Sequence, residues 1–108
     1  MSVRKVTDET FEQLVLKSEK PVLVKATAVW CNPCKVLAGP LAELAEEMKD
    51  DITIFDLDVD ENPNSAAAMG VRGIPMCNIY HGGEQKGMKV GAVSKEQLSN
   101  FIKDTLSD

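Results

Sequence analysis

The hexapeptide Trp30-Cys31-Asn32-Pro33-Cys34-Lys35 constrains this chain more than any other stretch. It sets two thiols two residues apart, with a tryptophan in front and a helical pattern behind. Without secretory features around it, such a pair reads as a redox dithiol. The spacing serves the chemistry. One cysteine attacks a substrate disulfide as thiolate, and a second, near enough to close a small ring, resolves the mixed disulfide. A helix start suits the pair, because unpaired N–H groups and the helix dipole favour a thiolate there. Pro33 fits the first helical turn, where an N–H is not needed.

The flanking pattern supplies a strand and a helix for this motif. Val22-Leu23-Val24-Lys25-Ala26 has the length and apolar character of a buried strand, in which Lys25 is out of place. Leu37, Leu41, Leu44 and Met48 recur at helical spacing, predicting a long amphipathic helix from Pro33 to about Met48. Glu43, Glu46 and Glu47 fall on its solvated face, and Gly39-Pro40 predicts a kink. Upstream, Val3 and Val6 mark a short opening strand, and Thr7-Asp8-Glu9 is expected to cap a helix with Phe11, Leu14 and Val15 inward.

Downstream, Ile52 to Leu57 reads as a strand. Asn62-Pro63 opens a short helix that Gly70 stops. Met76 to Tyr80, the turn His81-Gly82-Gly83 and a run to Val90 form a hairpin signal. Ser94 caps a last helix with Leu98, Phe101, Ile102 and Leu106 inward. The predicted order is β-α-β-α-β-α-β-β-α. Strands alternating with helices, closed by a hairpin and a helix, imply an α/β domain with a central mixed sheet covered on both faces.

At 108 residues, positions 1–108 make one domain with a single core between packed layers. The net charge of −5 gives no support to nucleic acid or an anionic membrane as partner. Met1 to Lys5 leads into polar residues rather than an apolar signal region. No stretch approaches the ~20 apolar residues that span a bilayer. Three cysteines are too few, and too odd in number, for a secreted disulfide scaffold. The expectation is a soluble, cytoplasmic protein of a reducing compartment.

Over nearly its whole length the chain resembles the thioredoxin family. The matching pieces are Trp30-Cys31-x-Pro33-Cys34-Lys35, Asp58-Val59-Asp60-Glu61-Asn62-Pro63, Gly70-Val71-Arg72-Gly73-Ile74-Pro75 and Val90-Gly91-Ala92, in that order. The resemblance implies the thioredoxin fold, with Cys31 as the exposed attacking thiol and Cys34 as the buried resolving one. It implies a cis-proline at Pro75 facing the dithiol, with Ile74 offering backbone to an extended substrate. Trp30, Ile74 and Gly91 would form an apolar docking surface, with Asn32 and Pro33 between the cysteines also meeting substrate.

Four positions depart from the family pattern. Asn32 replaces the usual glycine between the cysteines, Gly39 stands where the helix proline is usual, and Met76 replaces the threonine after the cis-proline. The fourth departure is an exchange. The family commonly pairs a buried aspartate before the active site with a lysine on the next strand, and here those positions hold Lys25 and Asp56. A buried charge needs a partner, so Lys25 and Asp56 are expected to meet behind Cys34. In that reading Asp56, directly or through water, takes the Cys34 proton while Lys25 favours the thiolate. The alternative has Lys25 reaching solvent and Asp56 as an ordinary exposed acid.

Cys77 has two readings, a third redox thiol that masks Cys34 or a small buried core residue, and free cysteines are usually the latter. Cys31, Cys34, Cys77 and His81 are possible zinc ligands by type. At ~3.3 Å per strand residue, though, Cys77 and His81 would stand about 13 Å apart, so no metal is expected. Met76 reads equally as docking contact or core filler.

The function expected is that of a monomeric thiol–disulfide oxidoreductase that reduces protein disulfides through a Cys31/Cys34 cycle, with no bound cofactor. The resemblance implies an NADPH-linked thioredoxin reductase and disulfide-containing proteins as partners. The rival readings are a specialised or more oxidising disulfide exchanger, and a binding module on the same fold with secondary redox activity.

Overall fold

A computed structural model, describing residues 3–107, contains one five-stranded sheet in the order β1-β3-β2-β4-β5. The strands are β1 (Val3–Lys5), β2 (Val22–Thr27), β3 (Thr53–Asp58), β4 (Met76–His81) and β5 (Glu84–Val90). β1 and β2 run parallel to β3, whereas β4 is antiparallel to β2 and β5. Helices α1 (Asn32–Glu47), α2 (Pro63–Met69) and α3 (Lys95–Leu106) complete the fold, with a π-helical turn at Glu12–Leu16. The element order is the predicted one. Residues 1, 2 and 108 of the expected domain lie outside the described residues.

The two-residue period of the strands sorts their side chains into two cores. Val22, Val24, Phe55, Leu57 and Met76 meet Phe11, Val15 and Met69 on the face of the π-turn and α2. Leu23, Ile54, Cys77 and Ile79 meet Leu37, Leu41 and Leu44 of α1 and Leu98 and Ile102 of α3 on the other. Burial on both faces explains why β2 reads as a continuous apolar run rather than an alternating one. A one-residue slip would exchange the two sets, so the register is fixed. It also fixes Lys25 on the α1 face, with Leu23.

One expectation is corrected. Thr7-Asp8-Glu9 does not cap a helix of its own. Thr7 and Thr10 instead close a tight turn, with Thr7 N donating to Thr10 Oγ1 at 2.9 Å and Thr10 N to the Thr7 carbonyl at 3.0 Å. The Asp8 carboxylate accepts from Ser65 N (2.8 Å) and Asn64 N (3.3 Å) at the start of α2, and Asn62 Oδ1 takes the Asp8 N–H at 2.8 Å. The cause lies in α2, whose N-cap Asn62 makes no side-chain cap bond and leaves its first N–H groups without a local acceptor. The segment after Asp8 then forms only a wide turn, with Lys17 N bonded to the Glu12 carbonyl at 2.9 Å.

The other helix signals act locally. Gly70 ends α2 in the left-handed conformation at φ 71°. Ser94 and Gln97 form a reciprocal capping box at α3. α1 continues through Gly39-Pro40 as one element.

Candidate active site

β2 delivers the chain to the loop that holds the dithiol. Cys31 N bonds back to the Ala28 carbonyl at 3.1 Å, and Cys31 becomes the extended N-cap residue of α1. Cys34 N then donates to Cys31 Sγ at 3.2 Å. An N–H of the first helical turn therefore points at this sulfur, which favours its thiolate when the pair is reduced. Cys31 and Cys34 are disulfide-bonded, with Cα atoms 5.3 Å apart.

The expected exposure of Cys31 is corrected in this oxidised form. Cys31 is 3% exposed and Cys34 1%. The bond to Cys34 holds the Cys31 sulfur against the first turn of α1, where Ala28, Val59 and Ile74 pack around the pair.

Around the disulfide the sequence-predicted residues converge. The Ile74–Pro75 bond is cis, and Gly91 N donates to the Pro75 carbonyl at 2.8 Å. Gly91 has φ 106°, a conformation that favours glycine. Trp30 is exposed, and its indole Nε1 donates to Asp60 Oδ2 at 2.7 Å, which fixes the ring. Asn32 and Pro33 are exposed in the first turn of α1. Met76 is buried with Met69 and Tyr80, so it fills core and makes no docking surface.

Sequence reasoning did not single out Asp60 as the anchor of Trp30, although it lies in a motif already noted. Exposed Val29, Val36, Met88 and Val90 were likewise not singled out. For Val36, Met88 and Val90 the signal is failure to fit the inward periodicity of α1 and β5, and Val29 lies between elements.

Behind Cys34 lies a row of polar residues. Lys5, Asp56, Lys25, Cys77 and Lys89 stand opposite one another across β1, β3, β2, β4 and β5. Lys25 Nζ is 3.3 Å from Asp56 Oδ1 and donates to the Cys34 carbonyl at 3.4 Å. Lys25 does not reach solvent: its side chain is 4% exposed, against 34% for Asp56. Asp56 Oδ1 is buried and has no hydrogen-bond partner among the described residues. Its contact with Lys25 is thus one of charge and proximity, without hydrogen-bond geometry.

Cys77, on the other side of Lys25, is a buried free thiol in the α1/α3 core. Burial pushes its pKa up to about 12. The nearby Asp56 adds to that, and the opposing pull of Lys25 is too weak to offset it. A protonated thiol at this depth neither attacks nor ligates. His81 is exposed at the hairpin end of β4.

Comparison with known proteins gives one answer. The family model described as Thioredoxin matches residues 2–104. The chain is 45% identical over 101 residues to a thioredoxin of Acidithiobacillus ferridurans, covering 94% of each chain. It is 46% identical over 101 residues to a thioredoxin of Allochromatium vinosum, again 94% of each. Against a thioredoxin of Pseudomonas aeruginosa it is 44% identical over 97 residues, 90% of each.

Proposed function

The chain belongs to the thioredoxin family and is a thiol–disulfide oxidoreductase, and on that premise we propose a role for each residue at its site. Its redox group is its own Cys31–Cys34 pair. Cys31 is the nucleophile: as thiolate it attacks a protein disulfide and forms a mixed disulfide. Cys34 resolves that intermediate, releasing the reduced product and leaving the Cys31–Cys34 disulfide. The observation that carries this assignment is the Cys34 N–H directed at Cys31 Sγ at 3.2 Å on the first turn of α1.

Trp30, Asn32, Pro33, Ile74 and Gly91 form the surface that receives the substrate, with Pro75 shaping the segment opposite the dithiol. Exposure of Trp30, Asn32 and Pro33 and the packing of Ile74 against the cysteines support this reading. Asp56 accepts the Cys34 proton, and Lys25 stabilises the thiolate that results. Contact of Lys25 with both Asp56 and the Cys34 carbonyl supports these two roles.

The whole chain, 1–108, acts as one thioredoxin domain and as a monomer. An NADPH-linked thioredoxin reductase returns the disulfide to the dithiol, and disulfide-containing proteins are the substrates. The odd thiol, Cys77, fits a reducing, cytoplasmic setting. No helix among the described residues is long and apolar enough to cross a membrane.

Reduction of insulin by dithiothreitol tests the assignment. The wild type should accelerate precipitation, Cys31→Ser should abolish the effect, and Cys34→Ser should accumulate reducible adducts at Cys31. A wild type no faster than dithiothreitol alone would overturn it.

A further inference from the structure

Asn78 is a fully buried amide, 0% exposed, on the face that β4 turns towards the π-turn and α2, between Met76 and Tyr80. A buried amide needs a partner, and Asn78 finds it on the edge strand. Gln85 Nε2 donates to Asn78 Oδ1 and also, at 3.2 Å, to the Met69 carbonyl at the end of α2. That carbonyl can only accept, so the Gln85 atom meeting it is nitrogen, and the Asn78 atom meeting the same nitrogen is oxygen. A bulge in β5 makes the contact. Tyr80 stands opposite Gln85 and Ile79 opposite Gly87, so Lys86 is the extra residue and Gln85 is turned to the Asn78 face.

Met69 is where the chain leaves α2 for the segment beside the dithiol. Gly70 N and Val71 N bond back to the Ala67 and Ala66 carbonyls of α2 itself. Among the described residues, the Gln85 bond is the one hydrogen bond that joins the end of α2, or residues 70–74, to the sheet. After Ile74 the chain reaches Pro75, whose carbonyl accepts from Gly91 N at 2.8 Å. β5 therefore holds both ends of the segment, with Gln85 near its first residue and Gly91 just beyond its last. Ile74, which packs on Cys31 and Cys34, lies between these anchors on a span too short to move independently of them.

We infer that Gln85 is a positioning residue for protein substrates: its amide fixes the end of α2 against the sheet, and through residues 70–74 it sets where Ile74 stands beside the dithiol. The inference rests on the reading of Ile74 as part of the surface that receives the substrate. Gln85 itself is remote from the reacting sulfurs. β4 and β5 pair Met76 with Val90 at the dithiol end and Tyr80 with Gln85 towards the other. The effect of Gln85 is confined to substrates that need the surface. A protein disulfide arrives on a chain that Ile74 must help to place, whereas a small disulfide reaches Cys31 without it.

Two polar substitutions separate positioning from general stability. Gln85→Glu puts a carboxylate, which only accepts, opposite the Met69 carbonyl, whereas Gln85→Lys keeps donors at similar reach. The reduced proteins are mixed with insulin or with 2-hydroxyethyl disulfide, and the second-order rate constant of each first turnover is measured. About 1 M salt, with a Debye length of ~3 Å, removes the long-range effect of the changed charge. Gln85→Glu should slow insulin reduction by about fivefold, the scale of one hydrogen bond's net contribution, and leave the small disulfide unchanged. Gln85→Lys should match the wild type on both. Ile74→Asp, the control for the surface itself, should slow insulin reduction.

Insulin reduction by Gln85→Glu at the wild-type rate would overturn the inference, as would an equal loss with both disulfides or a Gln85→Lys variant as slow as Gln85→Glu. Insulin reduction by Ile74→Asp at the wild-type rate would instead overturn the reading of Ile74 as substrate surface, and the role of Gln85 with it. If Gln85→Glu does not fold, the Asn78→Leu, Gln85→Met double variant, which leaves no side-chain amide unpaired at this place, is measured instead, with the same expected and overturning results.

Discussion

Lys25 Nζ lies 3.3 Å from Asp56 Oδ1, yet the two partners are unequally buried, with side chains 4% and 34% exposed. That asymmetry sets the cost of breaking the pair. Asp56→Ala leaves an ammonium in a nearly dry place, where it donates to the Cys34 carbonyl. Lys25→Met leaves a carboxylate that water still reaches. Breaking a buried pair costs about 3–5 kcal/mol, and the exposure of Asp56 brings this pair to the low end. Urea unfolding should show Asp56→Ala less stable by roughly 3 kcal/mol and Lys25→Met by roughly 1 kcal/mol. The reverse order would mean that Lys25 is not confined.

Exchanging the charges tests whether the pair acts as a unit. Lys25→Asp alone places a second carboxylate opposite Asp56, and Asp56→Lys alone places a second ammonium opposite Lys25. The Lys25→Asp, Asp56→Lys double variant restores one charge of each sign. It should be more stable than the sum of the single changes by roughly 1–3 kcal/mol, the coupling typical of residues in contact. Additive effects would show that the residues do not interact.

This pair was legible in sequence because the family pattern pairs a charge at each of these two positions, and a lysine in an apolar run demands a partner. The dithiol, the hairpin, the stop of α2 at Gly70 and the capping box of α3 were legible because each is specified by neighbours in sequence. What was not legible depends on distant contacts. Asp8 was read as a cap for its own segment, but the acceptor it supplies goes to Ser65, 57 residues away. The burial of Cys31 likewise follows from Val59 and Ile74, brought over the disulfide by the fold.

Gly87 marks a close approach between the edge strand and α3. A Cβ there would stand 3.1 Å from Thr105 Oγ1 and 3.2 Å from Phe101 Cε1. Neither neighbour yields easily, because Thr105 Oγ1 is bonded to the Phe101 carbonyl at 2.8 Å and the ring packs on the core. Overpacking of this kind costs about 1–3 kcal/mol, more than the ~0.5–1 kcal/mol a strand gains on losing a glycine. Gly87→Ala should therefore lower the melting temperature, and a rise would show that α3 can move away from β5.

Cys77 should make the protein unusually sensitive to alkaline pH. Its folded pKa of about 12 lies above the reference value of 9.0. Above about pH 9 the unfolded chain loses this proton while the folded chain keeps it. The stability that Cys77 contributes is thus fully present below pH 9 and is lost as pH rises towards 12. The loss amounts to roughly 1.4 kcal/mol per pH unit within that window. In denaturant unfolding of the oxidised protein, Cys31 and Cys34 do not titrate, and the other ionisable groups are common to wild type and Cys77→Ala. The stability difference between the two proteins should therefore narrow steadily from pH 9 to pH 11, whatever cavity Cys77→Ala leaves. Parallel pH profiles would show that Cys77 ionises in the fold, and would return it to the set of thiols able to react with the dithiol.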